Sequence, residues 1–206
     1  MLKKLLPLKI DARLTPRGIN LLVNKKSFPI VYPLEIWRAY PLKLKEVLLD
    51  NIAYSASIFL PQILKQREIH YQTARPLAET FLFQNGIKDM PCCALSDNRS
   101  SLNYVKNFYN TQYLFRENKI KTPPIIDFGQ IQRQQSAAII PFSFGKESLL
   151  TFALAKEAGL KPILVNFIEP ANDFEYFHKK KLIKKFEQEM KTTVYIVPYG
   201  PGQLRY

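Results

Sequence analysis

Hydrophobic and polar positions follow two different patterns along the chain, and the patterns meet near residue 130. From residue 136 onward the pattern is regular. Residues 136–142 (SAAIIPF) form a short apolar run suited to a buried parallel strand. Residues 148–158 make an almost wholly apolar helix closed by Gly159. PILVNFI (162–168) is a second buried strand, and residues 173–190 form a long basic helix with Leu182, Ile183, Phe186 and Met190 on one side. TTVYIV (192–197) is a third strand. Strand, helix, strand, helix, strand with short links predicts a βαβαβ unit: a parallel sheet with right-handed crossovers.

Before residue 130 the apolar segments are scattered and rich in aromatics. PRGINLLVN (16–24) and FPIVYPLEIW (28–37) predict short strands or extended pieces interrupted by proline. Leu44, Val47, Leu48, Ile52, Ile58 and Phe59 space a helix over 42–60, broken near Ser55 and ended by Pro61. ARPLAETFLFQNG (74–86) predicts a short helix, with Pro76 near its start and Gly86 just past its end. Residues 100–119 predict a third helix, capped by Ser100 or Ser101 and stopped by the stiff connector K-T-P-P at 121–124. The expected fold class is therefore α/β. A mixed, mainly helical region over 1–130 precedes a parallel-sheet domain over 131–206.

Composition adds limits rather than identity. The 206 residues suffice for one ordinary domain or two small ones, and a hydrophobic fraction of 47% is that of a globular chain. Thirty Lys and Arg against seventeen Asp and Glu give a formal charge of +13. That surplus favours anionic partners such as nucleotides, RNA or anionic lipid, or it is a solvated lysine-rich surface. The N-terminal MLKKLLPLKI is broken by Pro7 and Lys9 and lacks a small-residue cleavage site, and no stretch has the length of a membrane span. The expectation is a cytoplasmic protein with no membrane partner. Cys92 and Cys93 are adjacent, which suits small packing residues better than a disulfide framework or C-x-x-C chemistry. His178 lies among Lys179, Lys180 and Lys181, and His70 has no companion at metal-ligand spacing, so no metal site is argued. Asp97 and Arg99 belong to a polar loop, SDNRS, best explained by turn chemistry.

The chemistry concentrates in S-F-G-K-E-S (143–148), between the first regular strand and its helix. At such a turn the unpaired N–H groups of the helix start and the helix dipole favour an anion. Gly145 allows close approach of backbone to a ligand, Ser143 and Ser148 carry hydroxyls, and Lys146 adds a full positive charge. These are residue types that cradle a di- or triphosphate. A Walker A loop is excluded because Ile140 occupies its first glycine position, and G-x-G-x-x-G is absent. An ordinary βα turn is the competing reading.

S-F-G-K-E-S resembles S-G-G-K-D-S, the pyrophosphate loop of the PP-loop ATP pyrophosphatases, which have the adenine nucleotide alpha-hydrolase-like fold. The likeness covers roughly residues 136–200. It implies that Ser143, Gly145, Lys146 and Ser148 hold the β- and γ-phosphates of ATP, with Lys146 and Ser148 the catalytic pair. It further implies a carboxylate or carbonyl acceptor activated as an adenylate, with AMP and pyrophosphate released and Mg2+ as the accompanying ion. Phe144 stands where the family has glycine, and a positive φ there would cost a phenylalanine about 1 to 2 kcal/mol. Glu147 replaces aspartate, and either approaches magnesium or complements the helix N-terminus. In similar proteins the end of the second strand meets the adenosine. By that likeness Phe167 or Ile168 packs on adenine and Asn166 or Glu169 reaches the ribose, unless the apolar pair is plain sheet core.

The second substrate is open. The run NIAYSASIFLPQI with RPLAETFLFQNG faintly resembles the segment before the loop in the muropeptide-glutamate epimerase branch, and the basic surface equally suits a tRNA-modifying relative. Only 58 residues follow Ser148, whereas the family's sheet continues on the far side of its first strand. This favours a second hypothesis: a partial or non-catalytic ATP-binding subunit that oligomerises or needs a complementing polypeptide. An exposed first strand would leave an apolar edge prone to self-association.

Overall fold

The computed structural model describes residues 7–96, 98, 100–125, 136–169 and 173–205. The chain divides into two compact units: Met1–Phe28 with Tyr40–Pro124, and Pro29–Ala39 with Ile125–Tyr206. The boundary expected near 130 falls at residues outside those described.

The first unit is organised by a sheet rather than by helices. β1 (Leu8–Thr15) buries Leu8, Ile10 and Ala12 and exposes Lys9 and Arg13, the period of a half-buried strand. It pairs antiparallel with β2 (Gly18–Val23), Ile10 opposite Val23 and Thr15 opposite Gly18. Asn24 and Lys25, with φ of +46° and +74°, turn the chain into β3 (Lys26–Val31). Two consecutive positive φ values are what a tight hairpin between right-twisted strands requires. The Asn24 side chain reinforces the turn, its Oδ1 accepting from the Lys9 N–H at 2.9 Å.

α1 (Leu34–Ala39) follows, then α2 (Leu42–Ser55) and the single turn α3 (Leu60–Ile63). α2 lies on β1 and on β4 (Glu68–Ala74), burying Leu49, Ala53 and Tyr54. α4 (Glu79–Ser96) and α5 (Ser101–Tyr109) pack on each other before β5 (Gln112–Glu117). β1, β4 and β5 run parallel, and the strand order is β3-β2-β1-β4-β5.

The region is mixed α/β: its five strands form one mixed sheet, although more of its described residues lie in helices. Two expectations are corrected here. The helix over 100–119 stops at Tyr109, and its aromatic continuation QYLFRE is a strand. The helix ending at Gly86 runs on to Ser96, because Gly86 serves close approach rather than capping. A Cβ at Gly86 would lie 2.9 Å from Cζ of Phe108 on α5.

The second unit holds the regular pattern. β6 (Ala137–Pro141), α6 (Lys146–Glu157), β7 (Lys161–Ile168), α7 (Asp173–Met190) and β8 (Val194–Pro198) build a parallel sheet ordered β6-β7-β8. Both helices cover one face, since Phe152 of α6 and Phe186 of α7 meet with ring centroids 5.4 Å apart. Their core takes Ile140, Phe142, Leu164, Ile168, Ile183 and Val194. α6 is less buried than its composition implies: it buries Ser148, Phe152 and Ala155, while Leu149, Leu150 and Leu154 are exposed. A 3-10 stretch, Gly200–Arg205, ends the unit. In the same unit Ile30 bridges Tyr199, and Tyr32 stacks on Trp37 at 4.9 Å.

Candidate functional site

β6 delivers its chain directly into the loop 143–148. The Phe142 N–H still donates to the Val165 carbonyl at 2.7 Å, so the backbone is strand-like up to the loop's first residue. Phe144 then takes φ +66°, the left-handed region where a Cβ is strained. Its ring is the reason the strain persists. It packs on Phe142 at 4.7 Å and edge-on to Phe186 at 5.7 Å, locking the loop onto the aromatic core.

Gly145 is the N-cap of α6, with φ −76° and ψ 165°, angles open to any residue. Its value is space. A Cβ there would lie 3.4 Å from both the Glu147 carboxylate and the Ser143 hydroxyl, at the loop's mouth. The residue needing glycine-like freedom is therefore Phe144, not Gly145.

The first bond of α6, Leu149 N–H to Gly145 carbonyl at 3.1 Å, leaves the N–H groups of Lys146, Glu147 and Ser148 without an intrahelical acceptor. Lys146 and Glu147 are exposed at this helix end, with Ser143 beside them. Ser143 Oγ accepts from the Gly145 N–H at 3.4 Å. Ser148 is buried, and its hydroxyl donates to the Gly145 carbonyl at 2.9 Å. That proton is committed to the loop in this conformation, so Ser148 braces the turn and would have to rotate to donate to a ligand.

At the end of β7, Asn166 is 2% exposed and donates from Nδ2 to the Phe142 carbonyl, tying the second strand to the loop's entrance. Its Oδ1 is buried with no hydrogen-bond partner. Ile168 belongs to the buried core, the sheet-core alternative for that residue. Phe167 is half exposed and meets the Tyr199 ring edge-on at 6.3 Å. The Glu169 side chain packs over Gly202, where a Cβ would come within 2.6 Å of it.

His70 pairs with Glu68 on β4, and His178 stacks on Phe174 along α7. Cys92 is exposed rather than packed, a correction, while the side chain of Cys93 and the residues Asp97 and Arg99 lie outside those described. Among the described residues no group of three or more His, Cys, Asp or Glu side chains is placed to hold a metal ion, and no helix is long and apolar enough to cross a membrane. The first unit carries two concavities. One, of about 680 Å³, is lined by Lys9, Asp11, Arg13, Leu22 and Gln72 of the first unit's sheet, and the other by residues near the amino ends of β4 and β5. What sequence reasoning missed entirely is a group of polar side chains in the first unit, from the buried Asp50 to the partly exposed Lys121.

No family model, curated protein or solved structure matches this chain.

Proposed function

We propose that the loop 143–148 binds the phosphates of ATP, and that the protein activates a carboxylate or carbonyl acceptor by adenylation, releasing AMP and pyrophosphate. The supporting observation is the pairing of a strained Phe144 with a free helix N-terminus. Strain of about 1 to 2 kcal/mol held in place by core packing is typical of a turn whose shape is used. In this reading the N–H groups of Lys146 and Glu147 and the Ser143 hydroxyl bind the β- and γ-phosphates, and the Lys146 ammonium offsets their charge. Ser148 keeps the turn closed through the Gly145 carbonyl. Asn166 offers an unpartnered Oδ1 beside the loop's entrance, suited to a donor on the nucleoside.

The residues also suit magnesium in one respect. The Glu147 carboxylate lies over Gly145, where it would repel a bare polyphosphate, and it would hold the ion that screens that repulsion. When bound, magnesium supplies positive charge to the phosphate oxygens.

Titration of the chain with ATP tests binding. Gly145→Val keeps backbone angles that valine adopts and fills the mouth, so it should abolish binding with an unchanged circular dichroism spectrum. Lys146→Ala should weaken binding and lower its salt dependence. Chromatography of spent nucleotide in the presence of an acceptor tests the reaction, and ADP as the main product would sink it.

A second reading, a subunit that binds ATP but is completed by another polypeptide or copy, is favoured by β6. Among the described residues β6 pairs only with β7, and its Ile139 is 74% exposed. Sedimentation of the chain over a range of concentrations tests this, and a monomer at every concentration would count against it.

A further inference from the structure

The first unit has its own crevice by topology. From β1 the chain turns to one side, into β2, and then crosses to the other, into β4. The carboxyl ends of β1 and β4 therefore flank a switch point, where open α/β sheets take ligands. At this place the β4–β5 register slips between Tyr71 and Ala74, an irregularity of the kind that re-aims side chains beside sites.

Polar side chains converge there from α2, β4, α4 and the segments that follow β4 and β5. Asp50 of α2 is 2% exposed, accepts from the Ala74 N–H at 3.2 Å and lies 3.1 Å from the Lys121 ammonium. One turn along α2, Tyr54 is fully buried against Tyr71, Tyr113 and Phe115, and its hydroxyl has no hydrogen-bond partner. Thr73 is 6% exposed, and its hydroxyl likewise has none. Arg75 lies over the Phe115 ring, and its Nε is 3.5 Å from Glu79 without making a hydrogen bond. A protein core does not leave two hydroxyls without partners at no cost, and their gathering beside the Arg75–Glu79 ion pair at one strand end calls for a ligand that completes them.

The charges say what kind. Arg75, partly exposed and paired through Nε with Glu79, carries the guanidinium fork that suits a planar carboxylate. Asp50, Glu79 and Glu117 outnumber Arg75 and Lys121, which disfavours a dianionic phosphate and favours a ligand carrying a donor of its own. We propose that the carboxyl ends of β1, β4 and β5 bind a small carboxylic acid bearing an amino or hydroxyl group, its carboxylate on Arg75 and its donor toward Asp50, with the Tyr54 and Thr73 hydroxyls completing the shell. The site lies wholly in the first unit and stands without the nucleotide reading.

Ligand-observed NMR on the full chain, without ATP, tests it with five probes: L-alanine, lactate, acetate, ethylamine and inorganic phosphate. L-Alanine or lactate should bind saturably, and acetate, ethylamine and phosphate at least tenfold more weakly. Tyr54→Phe removes only an unpartnered hydroxyl, so the variant should fold with undiminished stability and yet bind the favoured probe about tenfold more weakly. Arg75→Lys keeps the charge, loses the fork and should weaken binding by a similar factor. Saturable binding by none of the probes, tightest binding of phosphate, or unchanged affinity in both variants would overturn the proposal.

Discussion

Phe144 poses the sharpest question at the scale of single residues, because its backbone favours glycine and its ring favours phenylalanine. The two contributions separate by mutation. Phe144→Ala keeps the strained Cβ and loses the ring, whereas Phe144→Gly loses the ring and the strain together. Both should be less stable than the parent, by roughly 2 kcal/mol for a half-buried ring. The glycine variant should exceed the alanine variant by about 1 kcal/mol in urea denaturation. An alanine variant as stable as the glycine one would mean that the turn is unstrained.

Asp50 gives a second residue-scale outcome. Burial raises its carboxyl above the ordinary 3.8, and the bond to Lys121 only partly opposes this. Below pH 3.8 both native and unfolded chains are protonated there and Asp50 contributes nothing. As pH rises through 3.8 the unfolded chain releases its proton first, so stability falls until the native carboxyl has also ionised. Asp50→Asn keeps an acceptor for the Ala74 N–H and has no charge to bury. The stability of the parent relative to this variant should therefore fall as pH rises above 3.8, and a relative stability that rose with pH would refute the sign.

At the scale of elements, Gly86 inverts a standard expectation. In a helix interior Gly→Ala ordinarily gains up to about 1 kcal/mol. Here the new methyl meets the Phe108 ring at 2.9 Å, and that ring is fully buried among Phe59, Phe83 and Tyr113. Gly86→Ala should instead destabilise by about 1 kcal/mol in urea denaturation, and Phe108→Leu, which opens the contact, should turn the same change favourable. Equal effects in both backgrounds would show that the contact does not matter.

The same contact explains what the sequence hid. Glycine at a helix end and glycine at a helix crossing are the same letter, so α4 reads as ending at Gly86. β5 escapes notice because Tyr104, Phe108 and Phe115 keep a helix-like spacing across the break at Asn110. β4 carries the alternation of a half-buried strand, Glu68, His70 and Gln72 between Ile69, Tyr71 and Thr73, and was overlooked rather than hidden. The βαβαβ pattern of the second unit was legible, since buried parallel strands are continuous apolar runs and its helix starts are marked by polar residues. The loop's residues could be named from the same pattern, yet not their division of labour. Phe144 was marked as the place for a positive φ, but its packing on the aromatic core and the direction of the Ser148 proton were not. The Asp50 cluster had no signature at all, because its members are scattered from residue 50 to 121 and meet only through the sheet.

For the whole molecule, a single tryptophan makes the nucleotide reading measurable without catalysis. Trp37 is the chain's one tryptophan, is 4% exposed, and falls in the unit that carries the loop. Its emission during urea denaturation thus follows that unit's unfolding. A ligand that binds only the folded loop stabilises this unit by mass action, about 2.7 kcal/mol at a concentration one hundred times its dissociation constant. The Trp37 transition should move to higher urea by that amount with ATP and magnesium, and the shift should shrink as salt screens Lys146. Gly145→Val should remove the shift while leaving the nucleotide-free transition nearly in place. The formal charge of +13 supplies the control, because inorganic polyphosphate attracted by the basic surface in general would shift parent and Gly145→Val alike. A nucleotide shift that survives Gly145→Val therefore belongs to the surface and not to the loop, and would end the phosphate-binding assignment for 143–148.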